Sequence, residues 1–297
     1  YFQRFSLDAS AALQRHNQLV VRVDSPYEDP HTTWPLHNTV MKRILNQHDT
    51  RPGGAWSAQG QDANSGGIWA PVKLHLSRGA TLDEVILRPD WSQGLTRPSL
   101  KAEIRYRALS RGQATVRLTA TPANVSGKRF QADFPVPLES GAHSAQVTLP
   151  MPAAKLWWPI GTGKPHLYSV RVSLRDENGL MDTAVTRTGL RKIVEQPDNK
   201  GWRINDRRLF IKGSNYIGSP WLGTMTREKY RRDFRLVEAM NANAIRVHGH
   251  VAGRALYDVA DEMGMMIWQD VPLQWGYDSR DAFTKNAVRQ TREMIEQ

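Results

Sequence analysis

The hydrophobic period of the chain changes at Gln196-Pro197, and this restricts the possible architectures more than any other feature. Before it, short alternating apolar runs recur at near-regular spacing: Lys101 to Ala108, Thr115 to Thr121, Ala145 to Leu149, Tyr168 to Leu174 and Thr183 to Thr188. Turn signals such as Arg111-Gly112, Ser126-Gly127 and Glu177-Asn178-Gly179 separate them. Side chains on a strand alternate between faces, so a period of two over about ninety residues predicts a small β-sandwich. After Gln196-Pro197, short apolar runs alternate with stretches of helical period. Leu209 to Gly213 predicts a strand. Thr226 then predicts a helix N-cap, with Tyr230, Phe234, Val237 and Met240 forming one apolar stripe. Ala244 to Val247 predicts the next strand, and Arg254 to Met263 a helix stopped by Gly264. Met265 to Trp268 and Asp281 to Glu296 follow as strand and helix. Alternating strands and helices with short links predict parallel strands joined by right-handed crossovers.

Upstream the sequence is less regular. Asn17 to Asp24, with alternating Leu19, Val21 and Val23, predicts a strand, as do Ile68 to Leu76 and Thr81 to Arg88. Between them lies a Pro/His/Asn/Gly-rich stretch, Ser25 to Gly67, whose Trp34, His48 and Trp56 argue against plain disorder. The start, Tyr1 to Phe5, reads as a strand entered part-way rather than as a leader peptide.

Composition narrows the chemistry. Cysteine is absent from the 297 residues, which rules out disulfides, thiolate metal sites and cysteine nucleophiles. That fits the cytosol and a bacterial periplasm alike. The net charge is +11, from 40 Lys+Arg against 29 Asp+Glu. The cations are spread through all segments without aromatic interleaving, so a solvated basic surface is expected and not a nucleic-acid partner. No run of about 18 apolar residues occurs, so no membrane-crossing helix is expected.

The predicted parallel strands end in polar residues: Ser214, Asn215 and Tyr216; then Arg246, His248 and His250; then Gln269 and Asp270, with Trp275 further on. In a β/α barrel such strand ends build the site. Guanidinium, imidazole, carboxylate, amide and indole groups together suit a polyol. Arg246 could equally be a structural partner of Asp270, and His248 with His250 lack the third ligand a metal would need. No metal or cofactor is expected. A retaining glycosidase needs two carboxylates about 5–5.5 Å apart, and no asparagine–glutamate pair at a strand end supplies them. Asp270 is one group, and Asp278 lies in a loop. Nucleophile-elbow, Walker and Gly-x-Gly-x-x-Gly motifs are missing as well.

Several runs, in order, resemble glycoside hydrolase family 2. They are Gly67-Ile68-Trp69-Ala70-Pro71-Val72, Leu156-Trp157-Trp158-Pro159, His166-Leu167-Tyr168, Thr188-Gly189-Leu190-Arg191-Lys192-Ile193, Trp202-Arg203-Ile204-Asn205, Leu209 to Tyr216, Asn243 to His248, Leu256 to Gly264 and Ile267-Trp268-Gln269-Asp270. The resemblance implies a multidomain β plus α/β protein. Residues 1–93 would be the C-terminal part of a jelly-roll sugar-binding domain. Residues 94–193 would be an immunoglobulin-like β-sandwich, and 194–297 the first part of a (β/α)8 TIM barrel. It further implies a retaining exo-β-glycosidase of β-mannosidase or β-galactosidase type, acting on an oligosaccharide, polysaccharide or glycoconjugate. The acid/base and nucleophilic glutamates would lie beyond Gln297, so this stretch alone is expected to be inactive.

Arg246, His248 and Asp270 are expected to hold sugar hydroxyls, with Asn215 supporting them and Trp275 nearby. His248 stands where the mannosidase branch usually carries tryptophan, which leaves galactose open. Asp62 is a weaker candidate for a sugar-touching jelly-roll aspartate. The rival reading is a non-catalytic carbohydrate-binding or scaffold protein with the same sandwich modules. A partial barrel would also leave an open parallel edge, which predicts marginal stability or a homo-oligomer.

Overall fold

The computed structural model describes residues 5–23, 37–39, 41, 68, 70–197, 201–219, 222–273 and 276–296. Seven strands come first: β1 (Ala80–Asp90), β2 (Ser99–Ala108), β3 (Gly112–Pro122), β4 (Phe130–Leu138), β5 (Gly141–Pro150), β6 (Tyr168–Asp176) and β7 (Gly179–Thr188). They form two antiparallel sheets, ordered β1-β2-β5 and β4-β3-β6-β7. Strand β2 shows how the sequence builds them. Leu100, Ala102, Ile104, Tyr106 and Ala108 are all buried, while the residues between them are exposed or partly so. Val116, Leu118 and Ala120 of β3 and Val170, Val172 and Leu174 of β6 complete the core between the sheets. Each large aliphatic side chain buried there contributes roughly 1.5–3 kcal/mol.

Strand β4 was not evident from the sequence because Pro135 and Pro137 interrupt its pattern. It lies at the edge of its sheet, where a residue without an N–H is tolerated. Strand β1 was assigned to the first domain. It pairs with β2 from Ala80↔Ala108 to Asp90↔Ser99 and sends Leu82 into the sandwich core. A boundary at 93/94 therefore cuts a sheet. The strands expected at 17–24 and 68–76 are not formed in the described residues, and Leu19, Val72, Leu74 and Leu76 are exposed there. Alternation alone does not make a strand; the ladder needs a partner.

A small antiparallel sheet follows, made of β8 (Ile193–Glu195), β9 (Trp202–Ile204) and β10 (Arg207–Leu209). Then come β11 (Gly213–Tyr216), α1 (Arg227–Ala239), β12 (Ala244–Val247), α2 (Arg254–Met263), β13 (Met266–Gln269) and α3 (Asp281–Glu296). The last three strands are parallel and adjacent in chain order. The single strand expected at Leu209 to Gly213 is divided: Leu209 closes the small sheet, Phe210 is exposed, and the parallel strand begins at Gly213. A Cβ at Gly213 would lie 2.3 Å from the Ala244 carbonyl oxygen, so glycine permits this close approach. Helix α1 starts at the Thr226 N-cap, whose side chain accepts from the Lys229 amide. Helix α2 ends at Gly264 in the left-handed conformation, φ 79°. Tyr230 and Phe234 of α1 and Leu256, Val259 and Ala260 of α2 pack with Ile245 and Val247 into a second core.

Trp157 links the two parts. Its indole is 2% exposed and donates to the Asp261 carbonyl of α2 at 2.8 Å. Its own carbonyl accepts from Asn205 Nδ2 at 2.9 Å, and the Arg191 guanidinium lies 4.6 Å above its ring. Beside it, Arg187 of β7 reaches Glu262 of α2 at 2.5 Å, and Arg191 reaches Asp261 at 3.0 Å.

Candidate functional site

The parallel register fixes which residues share a face. Asn215 of β11 lies opposite Arg246 of β12, which lies opposite Trp268 of β13. These three are exposed, whereas Ile245 and Val247, one position either side of Arg246, are buried against the helices. The period of two thus separates a packed face from an open one.

On the open face, Asp270 gathers its neighbours. Its Oδ1 accepts from Arg246 Nε at 3.0 Å, and Arg246 Nη2 lies 2.8 Å from Oδ2. Oδ2 also accepts from His248 Nδ1 and from the Gly249 amide, each at 3.2 Å. A carboxylate only accepts, so His248 Nδ1 carries the proton and Nε2 is left as the outward nitrogen. Burial pushes the Asp270 pKa up, but the Arg246, His248 and Gly249 donors outweigh it and hold the carboxyl below its usual range. The Arg246 side chain is 46% exposed. Asp270 itself is 16% exposed, and the contact fixes two polar groups in one orientation.

Not every strand-end candidate joins this cluster. Tyr216 turns into the helix layer, where its ring packs on Tyr230 and Phe234 and its hydroxyl donates to Asp233 at 2.8 Å. His250 is 1% exposed, and its Nδ1 donates back to the His248 carbonyl at 3.0 Å. Trp268 is 54% exposed; Trp202 of β9 meets it edge-on at 6.1 Å. Sequence reasoning missed this pair because nothing local marks strand β9 as a neighbour of β13. Trp275, Trp34, His48, Trp56 and Asp62 lie outside the described residues.

One described part of the long early stretch reaches the same region. Asn38, 6% exposed, donates through its amide nitrogen Nδ2 to the Gly276 carbonyl at 2.7 Å. Its carbonyl accepts from the Asp278 amide at 2.9 Å. The early segment is thereby tied to the loop after β13.

The family described as Glycosyl hydrolases family 2 matches residues 80–191, a span that covers β1 to β7. Over those residues the chain is similar to that family.

Among relatives, the mannosylglycoprotein endo-beta-mannosidase of Lilium longiflorum is 28% identical over 303 aligned positions, covering 94% of this chain and 31% of that protein. Beta-mannosidase B of Neosartorya fischeri is 26% identical, covering 89% of this chain and 32% of that protein. The solved beta-D-mannosidase of Dictyoglomus thermophilum superposes with a TM-score of 0.66 at 25% identity, over 73% of this chain and 28% of that one. A Parabacteroides merdae beta-glucuronidase shares the fold, with a TM-score of 0.61 at 21% identity over 73% of this chain and 28% of that one. The chain spans about a third of the length of the curated relatives it matches.

Proposed function

We propose that this chain is the sugar-positioning part of a retaining exo-β-glycosidase acting on terminal β-linked sugars, with a β-mannoside the first choice. The observation that carries it is the convergence of Arg246, His248 and the Gly249 amide on Asp270, beside Asn215, at the ends of three parallel strands. Contacts from Arg246, His248 and the Gly249 amide fix Asp270 among polar groups of the kind that hydrogen-bond sugar hydroxyls. The relatives named as mannosidases favour mannose; His248 keeps galactose as the competing sugar. On this reading the three parallel strands are the start of a (β/α)8 barrel. The two carboxylates of the retaining mechanism belong to the part of the family's length that this chain does not span.

Two outcomes follow. The chain releases no nitrophenol from p-nitrophenyl β-mannoside or β-galactoside, and turnover above buffer would place the catalytic carboxylates within these residues. Methyl β-D-mannopyranoside shifts the NMR signals of the Arg246 side chain and the Gly249 amide, and Asp270→Asn abolishes those shifts. Because the Asp270 side chain is 16% exposed and accepts from Arg246, His248 and Gly249, that substitution is expected to cost roughly 1–2 kcal/mol of stability, and the sugar titration is run where the variant remains folded. Unchanged sugar shifts in Asp270→Asn would remove Asp270 from the site.

A further inference from the structure

Behind the open face lies a second, partly buried polar network. Gln269 is the last residue of β13, one position before Asp270, so its side chain points the opposite way, toward α2. Its Nε2 donates to the His250 carbonyl and to the Asp270 carbonyl, both at 2.7 Å. Its Oε1 accepts from the Tyr257 hydroxyl of α2 at 2.6 Å. The same hydroxyl accepts from the Ala252 amide at 3.4 Å. Burial pushes the Tyr257 phenol up to about 12, so it stays a donor through the ordinary pH range. The 248–252 segment, which links β12 to α2, is therefore held at three points: the His250 ring on the His248 carbonyl, Gln269 on the His250 carbonyl, and Tyr257 on the Ala252 amide. This same segment supplies the His248 side chain and the Gly249 amide to Asp270.

We infer that Tyr257 and Gln269 are positioning residues that hold the His248–Ala252 segment from behind, so that His248 and Gly249 reach Asp270 in one geometry. The inference rests on the sugar-site reading for its functional meaning, although the tether itself does not. Three features argue for it. Gly249 adopts φ 60°, a turn that glycine enters without strain, and its amide donates to Asp270. All polar atoms of Gln269 and the Tyr257 hydroxyl are engaged, and a fully satisfied, partly buried network favours a single arrangement. Finally, the groups facing Asp270 from β12 and the following segment are Arg246, His248 and Gly249. Of these, His248 and Gly249 depend on the tether while Arg246 sits on its own strand.

The test compares Tyr257→Phe, which keeps the ring and deletes only the hydroxyl, and Gln269→Met with the control Val259→Ala. Val259 is buried on the same helix outside the network. The Asp270 carboxyl is titrated by ¹³C NMR and the Gly249 amide is followed by hydrogen exchange, both without sugar. In Tyr257→Phe and Gln269→Met the Asp270 midpoint is expected to rise toward the ordinary aspartate value, and Gly249 exchange to quicken about tenfold. Val259→Ala loses thermal stability but leaves both readouts at wild type. If the two network variants leave both readouts unchanged, or the control moves them as far, the inference fails. A second arm titrates methyl β-D-mannopyranoside, with binding expected to weaken several-fold in the network variants. A wild-type chain that does not respond to this sugar refutes the sugar reading, while the ligand-free arm still decides the tether.

Discussion

Trp157→Ala is expected to lower the stability of the chain by about 3–5 kcal/mol, the range for removing a large buried aromatic side chain. The indole is 2% exposed and cannot be replaced by water without leaving polar groups in a dry joint. Three losses combine. The cavity forfeits ring packing on Gly189, where a Cβ would already lie 2.9 Å from the tryptophan Cδ1. The Asp261 carbonyl loses the indole N–H donor, and the Arg191 guanidinium loses the aromatic face 4.6 Å away. Because Trp157 touches both the sandwich and α2, the change should also separate their unfolding. Differential scanning calorimetry of wild type is expected to show one transition, and of the variant two, or one displaced strongly downward. A wild-type melting temperature retained in Trp157→Ala would show that the joint carries little of the stability. Trp157→Phe keeps the packing without the hydrogen bond, and should fall between the two.

Much of this architecture was legible from residue order. The period change near Gln196-Pro197 separates the antiparallel sandwich from the parallel unit, and the helices with clear caps, Thr226 and Gly264, end where those residues stand. The failures share one cause. Leu19, Val21 and Val23 alternate as a strand does, yet alternation reports only what a strand would bury if a partner existed. The converse error occurred at β4, where two prolines hide a strand that its edge position tolerates.

At the site, Arg246, His248 and Asp270 could be nominated because strand ends are countable from sequence, and they do meet around one carboxylate. Tyr257 could not be. It sits beside the apolar stripe Leu256, Val259 and Ala260, and looks like part of it. Its hydroxyl contact with Gln269 depends on how the helix turns against the sheet, a tertiary fact that spacing does not encode. The Trp202–Trp268 contact was hidden in the same way.

Acid should destabilise the joint through Glu262. Its Oε1 accepts from Arg187 and from Arg227, each at 2.5 Å, and its Oε2 from Arg231 at 2.7 Å. Burial works to raise the Glu262 pKa, but the three guanidinium donors, Arg187, Arg231 and Arg227, prevail and bring it from 4.5 to about 2. A carboxyl with a lower pKa when folded than when unfolded adds stability that is complete above its unfolded value. That stability disappears as pH falls through the folded one. The window here runs from about pH 5 down to pH 2. The shift corresponds to roughly 3 kcal/mol, or about 2 once solvent around the partly exposed arginines is allowed for. Urea denaturation of wild type is therefore expected to lose about 2 kcal/mol across that window through this group. Glu262→Gln should forfeit a similar amount at pH 7 and show a correspondingly flatter acid limb.

Asp133→Asn provides the comparison, since its partner Arg117 and Asp133 itself are 42% and 41% exposed; there the cost at pH 7 should stay below about 1 kcal/mol. Equal acid slopes for wild type and Glu262→Gln would mean that Asp258, which Arg187 and Arg227 also reach at 3.3 and 3.4 Å, neutralises the arginines unaided. The joint would then owe its stability to Trp157 and not to its charges.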